Sequence, residues 1–290
     1  MNNRQINDIQ SFLELIRFTN PVGWLLLVIP ALWMLIIIGE GTPNLIVSII
    51  FCIGAFTMRS AGCVINDIWD RNIDLHIERT KHRPLANKQA TVGFAVAIFL
   101  CFLMASMIIA FSLPVQIWYI VPFALLGTML YPLVKRVSNY PQLVLGVTFS
   151  LVVPCASLAT QRYIDSSCIM LSIITILWVI LYDTQYAIAD LKEDCKVNVK
   201  SLAVLLRSVI VPAIVILDLL FILGWLLYGY FVLLLPGVYL VLLIITIVIF
   251  FFYQLLLVST QYPVLAIKAF KSHVLLGISI AIILMLAMGK

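Results

Sequence analysis

Residues 44–74 read NLIVSIIFCIGAFTMRSAGCVINDIWDRNID. From Asn44 to Ile65 the only formal charge is Arg59; then Asp67, Asp70, Arg71 and Asp74 arrive together. A helix needs about 20 apolar residues to cross a hydrocarbon layer about 30 Å thick. This stretch is long enough to cross, and it ends in a charged tip. It lacks the two-residue alternation of a membrane strand, so a helix is the way to satisfy its backbone in lipid.

Outward from this stretch the same pattern recurs. Residues 21–39 carry no charge, and the uncharged run 89–134 is too long for one helix and breaks at Ser112-Leu113-Pro114. Further spans fall at 141–160 and 167–187, then two within 208–258 divided near Gly229 and Tyr230, and a last one at 272–289. The spacing predicts an all-α polytopic membrane protein of nine transmembrane helices around a central cavity open to the cytoplasmic side. Composition agrees: of 290 residues 63% are hydrophobic and only 11% charged, against roughly half and a quarter in soluble domains. Disordered chains, disulfide-stapled secreted domains and nucleic-acid partners are excluded on that ground. The six scattered cysteines read as small apolar fillers.

Lys and Arg in alternate connections then give an orientation. One set holds Arg4, Arg17, Arg71, Arg79, Lys81, Arg83, Lys88, Lys135, Arg136, Lys192, Lys196, Lys200, Arg207, Lys268 and Lys271, fifteen of the 18 bases. The other holds Arg162 and Lys290. This predicts a multi-pass protein of the bacterial cytoplasmic (inner) membrane, N-terminus in the cytoplasm and C-terminus outside. The first 20 residues resemble neither a cleavable signal nor a transit peptide. Phe12, Leu13, Leu15 and Ile16 suit an interfacial helix.

Eight of the 13 acids gather in two patches, Asp67, Asp70, Asp74 and Glu78, then Asp183, Asp190, Glu193 and Asp194. Asn66, Asp70 and Asp74 step by four and share a helix face; Asp190 and Asp194 repeat that step. Like charges at that spacing repel, so something cationic should compensate. Solvated acidic loops balanced by nearby bases are one reading of each patch. Hard oxygens on one face also suit Mg²⁺, which takes one or two carboxylates and completes its shell with water and phosphate oxygens. The repeated layout suggests one domain, residues 1–290, of two pseudo-repeated halves with motifs at 66–74 and 183–194. Two such faces opposed over a basic mouth could hold a diphosphate, and the apolar bulk could hold its tail. A polyprenyl diphosphate fits both.

Met58 to Asp74 resembles the NDxxDxxxD motif of the UbiA superfamily of membrane prenyltransferases. Tyr182-Asp183-Thr184-Gln185-Tyr186-Ala187, with Asp190 and Asp194, resembles the second motif, and Tyr131 to Lys135 the YxxxK element. Agreement extends to Glu78-Arg79-Thr80, Arg83-Pro84-Leu85-Ala86 and Tyr140-Pro141-Gln142. A departure lies before Pro21, where the family commonly has a charged residue and this chain has Phe18-Thr19-Asn20.

The resemblance implies Mg²⁺-dependent transfer of an all-trans polyprenyl group from polyprenyl diphosphate to the ring carbon ortho to the phenol of 4-hydroxybenzoate, in ubiquinone biosynthesis. Homogentisate, a naphthoate or haem are alternative acceptors within the family. It implies metal binding by Asn66, Asp70, Asp74, Asp190 and Asp194, the four aspartates being the catalytic set, with Asp67 ligating or orienting. Arg59, Arg71, Tyr131 and Lys135 would bind diphosphate, and Arg136 the acceptor carboxylate. The phenol could bond to an aspartate of the second patch, and loop 75–89 could close as a lid against water. Asp183 and Tyr186 either line the site or buttress the sixth span. His76, His82 and His273 read as loop or surface positions. Asp218, inside a span, has no assigned role. A secondary transporter is the competing class, but its site should lie near the bilayer midplane rather than at one boundary.

Overall fold

The computed structural model describes residues 3–197 and 199–289, and every regular element among them is helical. Lys290 and the side chains of Arg4 and Lys135 lie outside the described residues. The chain runs through α1 (Asn3–Leu15), α2 (Val22–Ile38), α3 (Leu45–Asp74), α4 (Val92–Phe111), α5 (Val121–Val137), α6 (Pro141–Ser150), α7 (Val152–Thr160) and α8 (Ser166–Ala187). A 3₁₀ turn, Ile188–Asp190, joins α8 to α9 (Leu191–Val197); α10 (Leu202–Leu205), α11 (Ile210–Leu227), α12 (Gly237–Val258) and α13 (Pro263–Met288) complete it.

Each apolar stretch of the sequence falls on a helix. Among the described residues 7 helices are long and apolar enough to cross a membrane, while Val22–Ile38 and Val121–Val134 are shorter apolar helices. By length and composition seven helices qualify as full spans, and Val22–Ile38, at 17 residues, sits at the lower limit of a crossing. Two boundaries also differ from the sequence expectation. The fifth span is two helices, broken at Leu151 and followed by Pro154, which cannot donate a backbone hydrogen bond. The last helix starts at Pro263, not at 272, because a proline at the first helical position fits there and Lys268 and Lys271 lie on its exposed side.

Side-chain caps set several starts: Asn44 accepts from Val47 N at 3.1 Å, Thr91 from Phe94 N at 3.2 Å and Asp165 from Cys168 N at 2.7 Å. Once begun at Asn44, α3 continues beyond its apolar part to Asp74, so the first acidic motif is helical as its spacing predicts.

The core centres on Trp33, Trp178 and Trp225, all fully buried. Trp33 stands 4.9 Å from Trp178 and 5.2 Å from Trp225 between ring centroids, and its Nε1 donates to Gly277 O at 2.9 Å. Gly277 is what lets α13 close on this cluster. A Cβ there would meet Ile29 at 2.8 Å and Trp178 at 3.0 Å. The outer surface is apolar in turn: α12 exposes Val241, Ile245, Ile249, Phe252 and Leu256, where lipid rather than water would be the solvent.

Candidate active site

The last turns of α3 point Asn66, Asp70 and Asp74 into a cavity of about 240 Å³. Tyr182, Asp183 and Tyr186 of α8 line its other side, with Asp190 from the 3₁₀ turn and Asp194 from α9. The i, i+4 step of Asp190 and Asp194 thus crosses a change of helix type, yet both face the same space. Arg59 and Tyr131 line it as well. Asp183 and Tyr186 line the site, which closes the choice left open by their positions in sequence.

Three arginines are threaded among these carboxylates. Arg17, in the turn before α2, places Nη2 at 2.7 and 2.9 Å from the two oxygens of Asp67. Arg83 Nη1 donates to Asp67 Oδ1 at 3.1 Å and to Asp74 Oδ2 at 2.9 Å. Arg79 Nε donates to Asp190 Oδ1 at 2.8 Å, its Nη2 pairs with Asp190 Oδ2, and its Nη1 donates to Tyr186 Oη at 2.6 Å. Glu78 N adds a bond to Glu193 Oε2 at 3.1 Å. The loop after α3 therefore lies across both acidic patches and ties them together.

Burial works against the charge of the Arg79 guanidinium, but the hydrogen bond to Asp190 and the charges of Tyr186, Asp190 and Asp74 together outweigh it and its pKa moves up. Arg83 behaves alike, with Asp67 and then Asp74 overcoming its burial. Both stay cationic at any working pH. Asp67 is completely buried and paired with both Arg17 and Arg83. For Asp67, Asp74 and Asp190 the compensating cations that the acid spacing demanded include these arginines.

Other residues fall differently. Arg71 bends back to the Ile68 carbonyl at 2.7 Å and is not among the residues that line the cavity. The reason is angular: one residue beyond Asp70, it is rotated about 100° away from the Asn66–Asp70–Asp74 face. Arg136 is also outside the lining set; its Nη2 donates to Trp69 O at 2.6 Å and lies 3.8 Å from Asp70 Oδ1. Lys135 sits on α5, but its side chain lies outside the described residues. His76 and His82 are exposed, whereas His273 is fully buried. That overturns the surface reading of His273: α13 begins earlier than expected and carries it into the core. Sequence reasoning also missed the roles of Arg17 and Arg79 as partners of specific aspartates. Arg79 had a signal in the Glu78-Arg79-Thr80 element, whereas Arg17, 50 residues before Asp67, had none beyond its charge.

A second cavity, about 200 Å³, is lined almost wholly by apolar side chains of α2 to α7, among them Phe51, Met58, Leu103 and Leu125. It shares Arg59, Gly62, Tyr131, Leu145 and Phe149 with the first. Arg59 stands at this junction, its guanidinium 5.7 Å above the Phe149 ring. Among the described residues its buried Nε has no hydrogen-bond partner. Gly23 makes room for it, since a Cβ at 23 would meet that Nε at 2.6 Å.

An anionic head and a long apolar tail are what such a pair of joined cavities accommodates, inside a helical membrane protein. The profile of the UbiA prenyltransferase family matches residues 27–283, and the chain belongs to that family. It is 42% identical over 225 residues to the 4-hydroxybenzoate octaprenyltransferase of Psychromonas ingrahamii, covering 75% of this chain and 77% of the relative. The enzyme of that name from Legionella pneumophila (strain Lens) is 41% identical over 198 residues, covering 68% and 70%. Among solved structures, the apo UbiA homologue of Aeropyrum pernix K1 superposes with a TM-score of 0.72 at 20% identity, over 88% of this chain and 94% of that one. The Archaeoglobus fulgidus homologue bound to GPP and Mg²⁺ gives 0.70 at 15% identity, over 95% and 99%. These neighbours share the fold.

Proposed function

We propose that this protein transfers an all-trans polyprenyl group from polyprenyl diphosphate to the ring carbon ortho to the phenol of 4-hydroxybenzoate, releasing diphosphate, as a step of ubiquinone biosynthesis. The observation that carries the reading is the junction at Arg59 and Tyr131, where the carboxylate–arginine cavity meets the apolar one. A diphosphate head in the first and a prenyl tail in the second would put the allylic carbon at the boundary between them. Relatives named for this activity, at about 40% identity, support the choice of acceptor.

The donor set fits Mg²⁺. Oxygens of Asn66, Asp70, Asp74, Asp190 and Asp194 line one cavity, hard donors that outnumber the thiol of Cys63 in the same lining. Among the described residues no cluster of His, Cys, Asp or Glu is close enough to chelate an ion by protein alone. A Mg²⁺ ion held by these residues would complete its shell from substrate phosphate and water. When bound, Mg²⁺ supplies charge neutralisation for the leaving diphosphate.

This chain's own residues do the rest. Arg59, Tyr131 and Lys135 contact diphosphate oxygens. Arg79 and Arg83, now on Asp190 and Asp74, hold loop 75–89 over the cavity and keep water from the developing allylic cation. Arg136, exposed beside Asp70, binds the acceptor carboxylate. As the allylic C–O bond breaks, the ortho carbon forms the new C–C bond and then loses its proton, restoring the aromatic ring. An aspartate of the second patch accepts the hydrogen bond of the phenol.

Location follows the fifteen-to-two split of bases: the inner membrane, N-terminus cytoplasmic, the site on the cytoplasmic face, the chain one domain of two pseudo-repeated halves. The test is prenylation of labelled 4-hydroxybenzoate by purified membranes. Product that needs Mg²⁺ and vanishes with EDTA is expected. No product across several donor chain lengths sinks the reading, and product only with homogentisate, a naphthoate or haem B moves the enzyme to another branch of its family.

A further inference from the structure

Behind the site face of α8 runs a chain of buried polar side chains that the reaction as described does not use. Trp178 Nε1 donates to His273 Nδ1 at 2.9 Å, and His273 Nε2 meets Gln185 Oε1 at 3.0 Å. Gln185 Nε2 donates to Gln254 Oε1 at 3.5 Å, Gln254 Nε2 to Ser272 Oγ at 2.9 Å, and Ser272 Oγ to Ala269 O at 2.7 Å. Trp178, Gln185, Gln254 and His273 are fully buried. The polarity is consistent from end to end. Indole N–H can only donate, so His273 Nδ1 accepts and the ring carries its hydrogen on Nε2, where Gln185 receives it.

The chain links three helices at one level. Trp178 and Gln185 belong to α8, Gln254 to α12, and Ser272 and His273 to α13. On the adjoining face of α8, Tyr182, Asp183 and Tyr186 line the cavity, and Asp190 follows one turn beyond Tyr186. The two sides are in contact: the His273 ring lies 5.7 Å from that of Tyr182, and Phe270, itself in the cavity wall, lies 4.6 Å from Tyr186.

Packing of Leu and Ile surfaces is non-directional, so by itself it resists a slip or rotation of one helix only weakly. A directional chain resists strongly, because any slip orphans buried donors and acceptors where no water can replace them. We infer that His273 and Gln185 are positioning residues, which lock the register of α8 against α12 and α13 and so hold the second acidic patch at the height where it meets the first.

This inference rests on the proposed metal set, and the test separates the two. Mn²⁺ binding to purified protein in lipid nanodiscs, with an unreactive prenyl diphosphate analogue present and a protein-free blank for the ion that the analogue chelates, is followed by the EPR signal of the free ion. Wild type is expected to bind and Asp190→Ala to lose binding; wild type that binds no Mn²⁺ overturns the metal site and this inference with it. His273→Leu should bind about ten-fold more weakly, the scale seen when groups that orient metal ligands are removed. His273→Gln should stay near wild type, since its amide can accept from Trp178 and donate to Gln185. Trp33→Phe is the stability control: it removes the bond to Gly277 O in the same core, and should lower the melting temperature without changing Mn²⁺ affinity. His273→Leu with unchanged affinity overturns the inference, as does His273→Gln failing as badly as Leu. Should His273→Leu not fold, Gln185→Met, which keeps the volume and loses both bonds, is measured the same way. Its Mn²⁺ binding should weaken by a similar factor, and unchanged affinity overturns the inference.

Discussion

Arg59 is a guanidinium in a membrane helix, and its surroundings explain how it is tolerated. Gly23 leaves the space, Phe149 offers a ring face, and the two cavities meet at its side chain. Gly23→Ala would put a Cβ 2.6 Å from Nε and force the head of Arg59 to move. With Arg59 contacting diphosphate as proposed, the donor KM should rise by about ten-fold with the 4-hydroxybenzoate KM unchanged, as steady-state kinetics would show. The opposite split belongs to Arg136. Arg136→Ala should raise the acceptor KM and spare donor binding, and equal loss of both refutes its role. Asp70→Ala should abolish turnover while the protein still inserts, which membrane fractionation beside the assay checks. The step-of-four spacing makes the proposed metal set legible in the sequence. Arg71 falls outside the cavity lining because adjacency in sequence is not adjacency on a helix face.

At the scale of elements, the loop between α3 and α4 is held by ion pairs to residues far along the chain. Arg79 reaches Asp190 and Tyr186, and Glu78 N reaches Glu193. Cutting this tie is expected to act on water exclusion before it acts on folding, since Arg79 is partly exposed and the pair is solvent-screened. Arg79→Ala should therefore raise the proportion of free prenyl alcohol to prenylated acceptor, measured by chromatography of the products, and increase proteolysis within 75–89. An unchanged ratio with an intact loop contradicts the lid role. The existence of the loop and its basic character were readable. Which acid each arginine takes was not, because α8 and α3 are brought together only by helix packing.

For the whole molecule, the apolar exterior and the fifteen-to-two split of bases make a joint statement about orientation. A reporter enzyme that works only outside the cytoplasm should be active when fused after Lys290 and silent when fused within 75–89. Activity at both places, or at neither, contradicts the assigned topology. The count of crossings is a separate matter. Val22–Ile38 and Val121–Val134 are apolar and lie in the bundle at the lower limit of a crossing, the helices that contain them having 17 residues each.

By itself the sequence determined the helical membrane class, the apolar stretches and the two carboxylate patches. These depend on local quantities, run length and residue periodicity, which a linear chain displays directly. Tertiary structure alone decided the pairing of Arg17 with Asp67 and of Arg79 with Asp190, the joining of the two cavities at Arg59, and the burial of His273. Each of these depends on which helix faces meet. In a chain this apolar, many faces are interchangeable to a reader of sequence, and only packing around Gly23 and Gly277 with the buried hydrogen bonds selects one arrangement.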